Sequence, residues 1–423
     1  MTTLFEKHLE DYADLILKAG LNYEKGLRLQ IGLIPGRSPR FYTPFEAAPL
    51  VRLLAKKAYQ LGAPFVEVHW GDPELDLIRY QNASRESLQE LPTWAVDEYY
   101  KSTDRKDAGV FIGGSDPYHF KDVESDILAE VQKIRSEAFR EVNEYMNLNP
   151  TPWIIVLYPT QAWSQSVFPD LSPEDAVEKM SEYLIKFYRL DKENPTEYWK
   201  DHFNSLEKRA ADLTKRAFET IHLKAPGTDL RIGLAKGHYW KTAVFRDKDG
   251  HENAVNIPSE EVFTLPDRRR IDGQVSSTKP FTMGDGFVED LTLEFKDGQV
   301  IKTKAKTGEE FVKKILEIDE GSSSLGELAL VPHSSPISQA GVVFHNTLLD
   351  ENASCHIALG RGFRDCLEDG EEMTIEDFQE AGGNQSAVHY DFMIGSAEMD
   401  IDGIDHDGTV HPVMRKGEWA FDL

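Results

Sequence analysis

The chain has 423 residues, with 47 Lys and Arg against 73 Asp and Glu, for a net charge of −26 at pH 7 with His neutral. That surplus of anions argues against a nucleic-acid partner, whose phosphates call for clustered cations. At roughly 100–200 residues per domain the length suggests two or three domains, and 40% hydrophobic residues with 22 Phe, 15 Tyr and 7 Trp suffice for buried cores.

The first twenty residues, MTTLFEKHLEDYADLILKAG, read as an amphipathic helix and not as a signal peptide. Strands are predicted over 27–34, 65–70, 110–112 and 153–158, with helices over 45–61 and from 123 to about 146. This interleaving predicts an α/β first domain with a mostly parallel sheet. The apolar run at 153–158 is the longest found and falls far short of the ~20 residues that cross a bilayer, so no membrane partner is expected. Ser172-Pro173-Glu174-Asp175 has the cap, the proline and the acids of a helix start, and helices are expected to about Lys224.

Ala225-Pro226-Gly227-Thr228 breaks that pattern, which places a domain boundary between 1–224 and 225–423. Every Asp-Gly pair lies beyond residue 240, at 249, 272, 285, 297, 369, 402 and 407. Asp-Gly suits tight hairpins, so the second domain is expected to be a β-rich α+β metal-binding domain, with its clearest hairpin turning at Asp297-Gly298. The paired Asp-x-Asp-Gly runs at 400–408 lack the closing Glu of a calcium loop and read as a solvated hairpin. Cys355 and Cys366 are the only cysteines, too few for a disulfide framework or a thiolate zinc site, so a reducing, cytoplasmic setting is expected.

Chemistry concentrates in four stretches of the second domain. Strand alternation puts His389 and Asp391 on one face and Val388, Tyr390 and Phe392 on the other, so an imidazole and a carboxylate either chelate a divalent ion or pair with each other. Glu327 heads a short apolar strand, on the face of Ala329 and Val331, where an uncompensated charge is costly. Glu351 and His356 precede the apolar Ile357-Ala358-Leu359, and Glu260 and Glu261 precede Val262 and Phe263. One of that last pair with Glu327, Glu351, His356, His389 and Asp391 makes four carboxylates and two imidazoles, a charge that two divalent ions would neutralise. Among other polar residues, Ser334 and Ser335 lack a nucleophile-elbow sequence, Lys236 and His238 are candidate cleft residues, and Arg268-Arg269-Arg270 reads as an internal ion-pairing cluster.

The runs GELALVPHSSPISQAG (326–341) with VVFHNTLLDENASCHIALG (342–360), PSEEVFTLPDRRRIDGQVSSTKP (258–280) and VHYDFMIGSAEMDIDG (388–403) resemble the thermophilic aminopeptidase family of dinuclear metallopeptidases, which includes aminopeptidases T and S. The likeness extends more weakly through 61–70 and 225–240, and so over essentially the whole chain. It implies a metal-dependent aminopeptidase that uses a metal-activated water to release N-terminal residues from peptides with a free N-terminus. It also implies two divalent ions per chain (Zn, Co, Mn or Mg) and a homodimer.

By that resemblance Glu261, rather than Glu260, is the first ligand, Glu327 bridges the ions and also serves as candidate proton acceptor, and Glu351, His356, His389 and Asp391 complete the set. Phe363 stands seven residues after His356, where many members carry a Tyr. Loss of an oxyanion donor costs on the order of 10²–10³ in rate, unless Phe363 is a plain wall residue or Tyr390 or a metal takes that part. Two other readings compete: a non-catalytic, metal-stabilised scaffold of the same family, and a metal-independent carboxylate-pair hydrolase.

Overall fold

A computed structural model of the protein describes residues 3–32, 43–139, 151–247, 250–283 and 286–421. The chain divides into two compact units, Met1–Asp201 with Val244–Pro258, and His202–Ala243 with Ser259–Leu423. Among the described residues no helix is long and apolar enough to cross a membrane.

The first unit is built on a parallel sheet of β1 (Leu29–Ile31), β2 (Val66–Val68), β3 (Ala108–Gly113) and β4 (Trp153–Leu157), in the order β2-β1-β3-β4. These are the four strands expected, each within a residue or a few of its predicted bounds, although 33–34 lie outside the described residues. Every residue of β3 is buried, as befits a strand covered on both faces. The helix Ala48–Leu61 buries Leu50, Val51, Leu54 and Ala58, an apolar stripe at helical spacing, and stops at Gly62 in the left-handed region. The helix expected over 123–146 is present as Ser125–Ala138, with the remainder beyond 139 outside the described residues. Ser172 caps Pro173–Phe187 through its hydroxyl, which accepts from the Asp175 amide.

The exposed edge of β4 has to satisfy backbone groups that no fifth strand reaches. The Ile155 amide donates to Val255 O at 2.8 Å, across an isolated parallel bridge to Asn256. Two residues on, the Leu157 amide donates to the Tyr188 hydroxyl at 2.7 Å, and the Tyr12 hydroxyl donates to Leu157 O at 2.8 Å. Both rings are fully buried, and burial drives both phenol pKa values up, which keeps the hydroxyls neutral.

The second unit contains most of the antiparallel structure. Its large sheet runs β14 (Gln299–Lys304), β13 (Thr292–Lys296), β10 (Pro266–Ser276), β6 (Thr228–Leu234), β5 (Thr220–Ala225), β18 (Asp400–Ile404), β19 (Val410–Arg415) and β20 (Glu418–Trp419). A smaller antiparallel sheet has the order β17 (His389–Met393), β16 (His356–Gly360), β15 (Leu325–Leu330), β9 (Val262–Thr264). Two hairpins complete the strands: β7 (Val244–Arg246) with β8 (Glu252–Ala254), in the first unit, and β11 (Phe281–Met283) with β12 (Gly286–Val288).

Two expectations need correction. Helices do not continue to Lys224: after Pro195–Arg216 the chain enters β5, and Ala225-Pro226-Gly227-Thr228 is the tight turn from β5 into β6, where Ala225 pairs with Thr228. The proposed division near 224 therefore falls at a hairpin turn of the second unit. Asp-Gly does turn the β13–β14 hairpin at 297–298 and the β18–β19 hairpin at 407–408, but 272–273 and 402–403 lie within strands. There β10 is paired on both sides by β6 and β13, and β18 by β5 and β19, so ladder hydrogen bonds outweigh the local turn preference.

The edge of β4 yields a stability test. Tyr12→Phe leaves a buried carbonyl without its hydroxyl donor and should cost about 1–3 kcal/mol, read as a lower urea midpoint at unchanged slope. A midpoint equal to the parent's would show that the Tyr12 hydroxyl does not hold that edge.

Candidate metal centre

Directly opposed residues of antiparallel strands project from the same face. In the smaller sheet Phe263, Ala329, His356 and Met393 form one cross-strand row. Glu327, Ala358 and Asp391 form the next row on that face, and Gly360 with His389 the one after. The small residues Ala329, Ala358 and Gly360 stand between the acids and imidazoles and leave their donor atoms room to converge.

Local backbone features aim these side chains. The register between β15 and β16 shifts between Leu325 and Glu327, a bulge that sets the direction of Glu327. Gly326 lies in that bulge, where a Cβ would fall 2.3 Å from Arg361 O. Gly360 has φ +104°, and a Cβ there would meet Val388 O at 2.2 Å, immediately beside His389.

The donor atoms form two overlapping groups, Glu261 with Glu327 and His356, and Glu327 with His389 and Asp391, each with its atoms within 4.8 Å of one another. Glu327 belongs to both. His356 Nε2 lies 3.2 Å from Glu261 Oε2, and His389 Nε2 lies 3.2 Å from Glu327 Oε2 and 3.4 Å from Asp391 Oδ1. On the far side of each ring Nδ1 meets a backbone carbonyl, Ser354 O at 3.0 Å and Arg361 O at 2.7 Å. A carbonyl only accepts, so Nδ1 carries a proton, and Nε2 is the nitrogen that faces the acids, where a metal ion would take the place of its proton. That arrangement fits a metal ligand whose orientation is fixed from behind.

The electrostatics point the same way. Burial and then the Asp391 charge push the Glu327 carboxyl up, against the pull of His389 and His356. Glu351 is raised well above the carboxylate range by burial and by Glu261 and Asp391. Burial opposes charging of His389, yet Asp391 and Glu327 outweigh it and carry its pKa to about 10. His356 is likewise raised against its burial, chiefly by Glu261. Burial raises the carboxyls and the neighbouring acids raise the imidazoles, and divalent cations would offset the negative charge that is buried here.

The structure thus brings five of the six expected residues, Glu261, Glu327, His356, His389 and Asp391, into the two groups. Glu351, at the end of the helix Thr347–Glu351, is in neither group but lies near enough to feel the charges of Glu261, Asp391 and Glu327. The adjacent acids of 260–261 diverge: Glu261 faces His356, whereas Glu260 Oε2 lies 3.3 Å from His202 Nε2. Phe363 packs its ring 5.0 Å from the His389 imidazole and 5.4 Å from Phe263, so a side chain without a donor walls the centre here. Tyr390 pairs with Leu359 on the opposite face of the sheet, which removes it as a substitute oxyanion donor. The arginine cluster pairs internally: Arg268 with Glu320, Arg269 with Asp267 and Arg270 with Glu219.

Asp350 escaped the sequence reading. Its buried carboxylate accepts from the amides of Phe344 at 2.8 Å and Asn346 at 3.0 Å, which ties the loop before Thr347–Glu351 to that helix. Burial lifts its pKa to about 6 in spite of those bonds. An Asp four residues after an Asn at a helix start is the local signal for such a tie.

Comparison with known proteins agrees with this chemistry. The family model described as "Thermophilic metalloprotease (M29)" matches residues 5–419. Aminopeptidase AmpS of Bacillus subtilis (strain 168) is 37% identical over 417 residues, covering 99% of each chain. Aminopeptidase T of Thermus thermophilus is 38% identical over 416 residues, covering 98% of this chain and 99% of its own. The solved structure of wild-type AmpT from Thermus thermophilus superposes with a TM-score of 0.90 at 37% identity, covering 99% of this chain and all of that one. The chain belongs to the thermophilic metalloprotease (M29) family.

Proposed function

We propose that the protein is a metal-dependent aminopeptidase that releases N-terminal residues from peptides bearing a free α-amine. The observation that carries this reading is the pair of donor groups sharing Glu327, with both imidazoles turned toward the acids by carbonyls behind them. Glu261, Glu327 and His356 would hold one divalent ion and Glu327, His389 and Asp391 a second, with Glu351 as a further carboxylate within reach. Such ligands accept Zn, Co, Mn or Mg. Bound ions supply Lewis acidity that lowers the pKa of water and polarises a carbonyl.

The chain's own groups complete the scheme. Glu327, which stands between the two donor groups, is the candidate to take a proton from the attacking water and pass it to the leaving amine, a part that competes with its part as a shared ligand. A metal position would also offer a place to the substrate's free α-amine, which favours cleavage after the first residue only. Phe363 offers no hydrogen bond to the developing oxyanion, so that charge falls to other groups.

A homodimer in a cytoplasmic setting belongs to the same proposal. Both cysteines are free and buried, which suits a reducing compartment. The first unit exposes Phe45 stacked on Trp70 at 5.6 Å, and also Leu75, Ile78 and Trp94, apolar surface of the kind that subunits cover.

Chelator-stripped protein should lose hydrolysis of free-amine aminoacyl substrates and regain it with Zn, Co, Mn or Mg. N-acetylated counterparts, lacking the free amine, should be cleaved roughly 30-fold less efficiently or worse. Full activity after stripping would favour the metal-free carboxylate pair, and no cleavage by metal-loaded protein would favour the scaffold. Light scattering at micromolar concentration should give twice the 48.0 kDa chain mass, and a monomer would remove the dimer from the proposal.

A further inference from the structure

The ligand-bearing face continues beyond β9. Lys241 and Phe263 form an isolated antiparallel bridge in which the Lys241 amide donates to Phe263 O at 2.8 Å and the Phe263 amide donates to Lys241 O at 3.0 Å. Because Phe263 is opposed to Ala329 and then His356, Lys241 extends the row that contains the ligand histidine. The Tyr239 ring lies alongside, 6.0 Å from the Lys241 ammonium. Its backbone is clamped by the Thr264 hydroxyl, which donates to Tyr239 O at 2.8 Å, and by its own amide, which donates to Cys366 O at 2.8 Å.

A cation at that place is unusual on a face otherwise dominated by acids. Among the described residues Lys241 has no carboxylate within ion-pair distance. The charge closest to it in effect is Asp365, whose carboxyl is pushed up by burial against the pull of Lys241. Burial, and then Asp365, push the neighbouring Cys366 thiol up against the pull of Lys241. Lys241 is partly exposed, on a strand position fixed by backbone bonds in both directions, and so is preorganised to meet an anion arriving at the metal centre.

We propose that Lys241 is a specificity-determining residue that binds a carboxylate of the peptide substrate beside the metal centre. The proposal rests on the aminopeptidase reading above. That carboxylate is either the C-terminus of a very short peptide or an acidic side chain close to the scissile bond.

The test is the ratio of kcat/KM within matched substrate pairs, with metal-loaded protein. Leucylglycine against leucylglycinamide reports the terminal carboxylate, and leucylglutamic acid α-amide against leucylglutamine α-amide reports the side chain. One pair should favour the acid roughly 10-fold, mainly through KM, as expected for one charge-assisted hydrogen bond. Lys241→Met should bring that ratio close to one, and Lys241→Arg should restore it. Because the ratio is internal to each variant, partial misfolding lowers both substrates together and leaves it unmoved. An acid preference that persists in Lys241→Met, or no preference in either pair for the active parent, overturns the role of Lys241 alone. Failure of the metal-loaded parent to cleave any of the four substrates overturns the aminopeptidase reading itself.

Discussion

A carboxylate that gives up water needs a proton, a hydrogen-bond donor or a cation in return, and here the acids are placed where few donors reach them. Glu261, Glu327 and Asp391 share one sheet face with Glu351 nearby, and among the described residues two imidazoles are grouped with them. Burial first, and then the neighbouring acids, make Glu327 and Glu351 hold protons more tightly than exposed acids do. That demand for positive charge is concentrated on one face of the smaller sheet of the second unit.

Meeting it requires rigid aim. Two carbonyls fix the tautomers of His356 and His389 from behind, and β16, between the strands that carry the acids, contributes His356, Ala358 and Gly360 to the ligand face. A bulge at Glu327 and the close backbone approaches at Gly326 and Gly360 set the angles from which these side chains converge. Strands held in ladders make a better platform than loops for groups that must converge within a few ångströms. Glu351 stands outside both groups, at the end of a short helix, and Asp350 ties the start of that helix to the loop before it.

Much of this was legible in the sequence because it obeys short periods. Alternation alone put His389 and Asp391 on one side of a strand and Glu327 with Ala329 on one side of another, and the register agrees. Interleaved apolar stretches likewise announced the parallel sheet. Long-range pairing was not legible. Nothing local in Thr220–Ala225 marks it as a central strand, and Asp272-Gly273 looks like a turn until partners on both sides hold it straight. For the same reason the divergence of Glu260 from Glu261, and the place of Lys241 on the ligand face, emerge only once distant segments are paired.

In the function proposed above, one carboxylate, Glu327, would serve two metal positions at once. Anomalous diffraction from crystals loaded with Zn or Mn tests it most directly. The account predicts two peaks per chain, one against Glu261 and His356 and the other against His389 and Asp391, with Glu327 oxygens reaching both. A single peak, or two peaks neither of which Glu327 touches, would contradict it.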